Sequence, residues 1–218
     1  MSAWPILTSD SYERLVADLH GRTILAVDYF VLMGGAEGTD PDAWDYGAWH
    51  EPTMGVELTM DNGGTFSAVW GSTFDYYGVE LYQAPMHDFL RGIEEPGGST
   101  RVAVAEHPLW AGIITAPIDS CRIQWCGEEH GAPTPVPEAL YVRTAVGQVW
   151  IAVGRSATSE PDGRFHLGTD DLLVIFDTDI ADRAGLRAHA SPERACGPGP
   201  ELTSRGAETR ARWMDPRS

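Results

Sequence analysis

The chain contains no lysine; all 15 of its lysine-or-arginine positions are arginine. That absence removes whole mechanisms. Schiff-base and pyridoxal phosphate enzymes, Walker A loops and protein kinases each depend on a particular lysine amine. Long apolar runs are also missing, and no stretch approaches the ~20 residues that a membrane-spanning helix needs, so no membrane contact is expected. Cysteine is scarce. Cys121, Cys126 and Cys196 form an odd set without the spacing of a disulfide framework, which suits a reducing compartment. The opening residues MSAWPILTSDSYERL carry neither a basic region nor an apolar stretch of signal-peptide length. A cytoplasmic protein is therefore expected.

Positive charge is in short supply overall. Against those arginines stand 32 carboxylates, for a formal net charge of -17. Such an excess repels phosphate backbones, so general nucleic-acid binding is not expected. It favours solubility, or the steering of a basic partner. Catalytic signatures are absent as well. There is no GxSxG elbow, no HExxH and no EF-hand spacing in the chain. Asp40, Asp42 and Asp45 lack the glycine and terminal glutamate of a calcium loop. Cys121, Cys126 and His130 lack a fourth ligand at zinc-site spacing. Chance pairs such as His87-Asp88 and Glu106-His107, the Glu128-Glu129-His130 triplet and the Asp170-Asp171 pair identify no reaction. No catalytic residue, metal or cofactor is assigned from the sequence.

What remains is a 218-residue chain, 43% hydrophobic, long enough to bury a core. Asp10 or Ser11 can cap a short helix with apolar residues at Tyr12, Leu15, Val16 and Leu19, ended by Gly21. TILAVDYFVLM, residues 23–33, reads as a buried strand. GVELTMDNGGTFSAVWGS, residues 55–72, alternates on both sides of Asp61-Asn62-Gly63-Gly64 and reads as a β-hairpin. Asn62, the single asparagine, suits the positive backbone angle of such a turn. A strand over 74–83, a short helix over 85–93 and a linker over 94–100 follow. ALYVRT and QVWIAVG form a second hairpin, and DDLLVIFD another buried strand before a helix over 179–186.

The expected fold is therefore α+β and β-rich, with mainly antiparallel sheet and a few short helices. Aligning Gly64 with Gly147 brings Gly71 onto Gly154, which fits either a duplication of residues 10–93 in 101–180 or convergence of two ordinary hairpins. Residues 1–189 form one compact body in this reading. Residues 190–218, rich in Pro, Gly and Arg, read as a flexible tail.

One segment looks more like a site than like scaffold. Residues 34–55, GGAEGTDPDAWDYGAWHEPTMG, set Asp45, His50 and Glu51 among Trp44, Tyr46 and Trp49. Long aromatic loops with carboxylates can grip an arginine, a cation or a sugar ring. They can equally fold back over the sheet. Tyr76 and Tyr77, in FDYYG, extend the candidate surface.

The succession of GVELTMDNGGTFSAVWGS, WAGIIT and DDLLVIFDTDIA resembles acidic bacterial proteins of unknown function and, more distantly, intracellular immunity proteins that neutralise toxin domains. The resemblance implies binding rather than catalysis and carries over no individual residue. Two functions are thus expected to compete. One is a non-enzymatic binding protein gripping a basic protein partner, which requires an exposed cluster at Trp44, Tyr46 and Trp49. The other is a small-molecule enzyme with a carboxylate- and histidine-lined cavity between the two halves.

Overall fold

In the computed structural model of the protein, residues 7–34, 40–74, 76–126, 135–157 and 164–187 are described. The expected tail, the segment around Glu128 to His130 and Cys196 lie outside them. Half-buried and doubly buried strands dominate. The elements are α1 (Ser9–Leu19), β1 (Ile24–Gly34), β2 (Asp40–Pro41), β3 (Trp49–His50), β4 (Gly55–Met60), β5 (Thr65–Gly71), β6 (Gly78–Tyr82), β7 (Ser99–Ala103), β8 (Ile118–Cys126), β9 (Val136–Thr144), β10 (Gln148–Ser156), β11 (Phe165–Ile175) and α2 (Thr178–Ala184), with a 3-10 turn at Met86–Asp88.

Two antiparallel sheets result. The first runs β2-β1-β4-β5-β6 with β7 also paired to β1, and the second runs β3-β11-β10-β9-β8. Each sequence half supplies a four-stranded meander, β1-β4-β5-β6 and β8-β9-β10-β11, and the two hairpins matched by sequence form the middle pair of each. The halves also exchange strands. β3 leaves the first half to pair with β11 through Val174↔His50 and Ile175↔Trp49, and β7 returns to β1 from Asp28↔Ala103 to Leu32↔Ser99.

The sheets pack face to face. Val27, Tyr29, Val31, Val56, Ala68 and Val79 of the first sheet share a core with Leu140, Val142, Ile151, Val153, Leu172 and Val174 of the second. The alternate residues are also buried. Trp150, Ala152, Leu173 and Ile175 lie under Ile180, Ala181 and Ala184 of α2, while Phe30, Met54 and Val69 lie under Met86 and Leu90. Burial on both faces explains why these strands read as nearly continuous apolar runs. Helix α1 closes one edge, where the Tyr12 hydroxyl donates to Val79 O at 2.6 Å and the ring meets Trp125.

Several local expectations shift by a few residues. The α1 cap is Thr8, which forms a reciprocal capping box with Ser11. The positive φ of the β4–β5 turn falls on Gly63, and the Asn62 side chain instead accepts from Gly64 N at 2.9 Å. The expected linker contributes Ser99 and Thr100 to β7, and the expected helix over 85–93 shrinks to the single 3-10 turn. Gly185 does end α2, with φ 90. Among the described residues, no helix is long and apolar enough to cross a membrane. Cys121 is a free thiol, whereas Cys126 is disulfide-bonded, so the three cysteines are not all reduced.

A buried carboxylate organises the turn after β5. Glu80 Oε1 accepts from Thr73 N at 3.0 Å and Thr73 Oγ1 at 2.6 Å, and Oε2 accepts from the Tyr82 hydroxyl at 2.5 Å. A Cβ on Gly71 would occupy the space of that carboxylate. Gly71→Ala is therefore expected to cost about 1–3 kcal/mol in chemical denaturation. An unchanged midpoint would mean that Glu80 can leave its bonds without cost.

Candidate functional site

The edge opposite α1 is closed by the 42–50 loop and by the turns that follow β7. Tyr29 points inward from the middle of β1, a strand interior otherwise filled by Val27 and Val31. Its hydroxyl accepts from Trp110 Nε1 at 2.8 Å and lies 2.7 Å from His50 Nδ1. His50 is held in place because β3 is hydrogen-bonded to β11, which brings a residue of the second sheet against one of the first. Trp44 packs edge-on against Tyr29, His50 and His107, and Phe176 against His50 and Trp110.

Asp45 and His107 complete the group. Asp45 begins a tight turn, accepting Gly47 N at 2.8 Å and bridging to His50 through the backbone. Its Oδ1 lies 3.8 Å from His50 Nε2, and its Oδ2 lies 3.4 Å from His107 Nε2. The two imidazoles meet edge to face with centroids 4.5 Å apart. His107 Nδ1 accepts Leu109 N at 3.3 Å. The side chains of Asp45 and His107 are 42% and 22% exposed while His50 is fully buried, so the group opens to solvent on one side only. His50 Nε2 is buried without a hydrogen-bond partner.

The surroundings set the charge states. Burial, and next the His107 imidazole, hold the His50 pKa down at about 4 against the opposing pull of Asp45. His50 is thus a neutral imidazole near pH 7. Partial desolvation works against the Asp45 charge, but the Gly47 amide and the two imidazoles outweigh it and hold the carboxyl below its usual range. Burial keeps the Tyr29 hydroxyl protonated. Chemically, the arrangement offers a carboxylate and two imidazole nitrogens converging on one point, anchored from behind by a tyrosine and a tryptophan.

The sequence-selected residues divide. Asp45, His50 and Trp44 come together here. Trp49 does not face solvent: it is fully buried, stacks on Tyr46 at 5.5 Å, and donates its Nε1–H to Glu51 Oε1 at 3.0 Å. Glu51 also accepts from Ser156 N, so it fastens the loop to β10. Tyr77 packs on Trp70 instead, and Tyr76 lies against Gly168 of β11. Of the aromatic cluster expected of a protein-docking loop, Trp49 is withdrawn into the core, while Trp44 and Tyr46 stay half-buried. Tyr29, Trp110 and Phe176 escaped the sequence reading, and His107 entered it only within the Glu106-His107 pair that was set aside. The one available signal was a tyrosine inside a largely apolar strand. Elsewhere, burial pushes the Cys121 thiol up to about 12, which makes it a poor nucleophile.

No protein-family model, curated protein or solved structure matches the chain. The site must be judged on its geometry.

That geometry makes stability depend on pH. In the unfolded chain His50 titrates near 6.5, and in the folded protein near 4. Between those values the unfolded state binds a proton that the folded state does not, so stability falls as pH falls through this window, by at most about 3 kcal/mol. Denaturation midpoints measured across the window should show this slope in the wild type. The slope should be reduced in His50→Phe, and an unchanged slope would place the proton uptake elsewhere.

Proposed function

We propose that the protein binds a small ligand at the constellation of Asp45, His50 and His107 between its two sheets. The observation that carries this reading is the fully buried His50 Nε2, which has no hydrogen-bond partner and lies beside a carboxylate that is partly open to solvent. An unsatisfied buried polar atom costs about 1–3 kcal/mol. A fold that keeps one beside two ionisable groups at a solvent-facing edge has the character of a ligand site, where local stability is given up for binding. The net charge of -17 would draw cations toward it.

Docking of a basic protein through the aromatic loop has less support. Of its anchors, Trp49 is buried and Glu51 is engaged by Trp49 and Ser156, which leaves only the half-buried Trp44 and Tyr46. An enzymatic use of the site, with Asp45 or His107 exchanging a proton with a bound molecule, requires the same access and belongs within the ligand-binding reading.

Substitutions that preserve the local bonds test it. Asp45→Asn retains an oxygen for Gly47 N, and His107→Asn retains an acceptor near Leu109 N. If the group serves a ligand, each variant should stay within about 1 kcal/mol of wild-type stability in urea unfolding. A loss above ~2 kcal/mol in both would assign the cluster to the architecture and overturn the reading.

A further inference from the structure

The chemistry of the three converging side chains points beyond a generic ligand. Among the described residues, the carboxylate of Asp45 and the imidazoles of His50 and His107 offer donor atoms that all lie within 4.8 Å of one another. We propose that they bind one divalent first-row transition-metal ion, through the Asp45 carboxylate, His50 Nε2 and His107 Nε2. This assignment rests on the reading of the constellation as a ligand site.

The donor atoms are within a small side-chain movement of a loaded site. Bonds of about 2.0–2.1 Å at tetrahedral angles set ligand atoms roughly 3.3 Å apart. Asp45 Oδ1 lies 3.8 Å from His50 Nε2 and Asp45 Oδ2 lies 3.4 Å from His107 Nε2, and one donor atom from each of the three residues can be taken with all three within 4.8 Å. Closing the remainder falls to Asp45 and His107, the two partly exposed members, while His50 is fixed by its place in β3.

The orphaned nitrogen points the same way. His50 Nε2 is fully buried, has no hydrogen-bond partner and faces the other two donors. Behind it, Nδ1 is anchored to the Tyr29 hydroxyl, which is itself held by Trp110 Nε1. Metal-binding histidines are commonly fixed in this way through their other nitrogen, which selects the tautomer. With a metal on Nε2, Nδ1 keeps its proton and donates it to Tyr29 Oη. Without one, the Tyr29 hydroxyl can donate its hydrogen bond to an unprotonated Nδ1 while Nε2 carries the imidazole hydrogen. His107 is anchored less firmly. Its Nδ1 accepts Leu109 N at 3.3 Å, and ligation through Nε2 would release that contact because Nδ1 must then carry a proton.

Ligand type decides the class of ion. Two imidazoles and one carboxylate suit zinc, nickel, copper or iron, whereas calcium and magnesium prefer an all-oxygen shell. Three protein ligands at a half-open edge leave coordination positions facing solvent, toward the exposed sides of Asp45 and His107.

Titration calorimetry of the full chain with zinc alone, at near-neutral pH, tests the proposal. One equivalent should bind at a single class of site. Asp45→Asn should weaken binding at least ten-fold, and its preserved Gly47 bond keeps the loss from being a folding defect. Tyr29→Phe should weaken it about 10- to 100-fold. The cobalt-loaded protein should show visible ligand-field bands that Asp45→Asn alters, and excess magnesium should not displace the ion. The proposal is overturned if wild-type protein takes up no zinc. It is equally overturned by uptake that is multiple, weak and unchanged in Asp45→Asn, the behaviour of an acidic surface. Failure to bind zinc with stable Asp45→Asn and His107→Asn variants would reject the metal alone. Large destabilisation of both variants would reject the site itself.

Discussion

The hydroxyl of Tyr29 is the constraint on which the edge of this sandwich depends. It receives the Trp110 indole hydrogen and contacts His50 Nδ1, so one oxygen joins β1 of the first sheet, β3 on the second sheet and the turn that follows β7. All of these atoms are buried. Removing the oxygen would leave an indole donor and an imidazole nitrogen without partners inside the protein, at about 1–3 kcal/mol for each. The surrounding rings of Trp44, Trp110 and Phe176 exclude water and so raise that cost.

With Tyr29 set, the chemistry of the edge follows. His50 must present Nε2 outward because Nδ1 is engaged. Its burial suppresses protonation, and the Asp45 turn brings a carboxylate to the same point. Charge thus concentrates on Asp45 while the two sheets supply neutral, fixed groups around it. Preorganisation of this kind, with polar atoms held before any ligand arrives, is what distinguishes a site from a surface cluster of acids.

Local patterns made most of the scaffold legible. The strand over 23–33, both hairpins, the buried run at DDLLVIF and the Gly185 helix end announce themselves through alternation, β-branched content and glycine placement. The 34–55 segment was legible only as a candidate. It carries the two-residue strand β3, whose pairing with β11 is set by contacts more than a hundred residues away, and no local period encodes such pairing. The site was half visible for the same reason. Asp45 and His50 stand close in the chain, but His107 sits in a Glu-His pair indistinguishable from chance, and only the return of β7 to β1 carries it to them. Trp49 was legible as important and misjudged in direction, since an aromatic ring with a polar edge serves inside or outside equally well.

The strand exchange has a bearing on how the molecule is assembled. Neither half of the sequence holds a whole sheet: the first half lends β3 to the second sheet, and the first sheet takes β7 from beyond the 94–98 turn. A chain cut at that turn would yield two fragments, each with an unpaired edge that matches a strand on the other. Such fragments have the grammar of a split protein. They would recover their hydrogen bonds by finding one another, and the Asp45, His50 and His107 group would exist only in the reassembled pair.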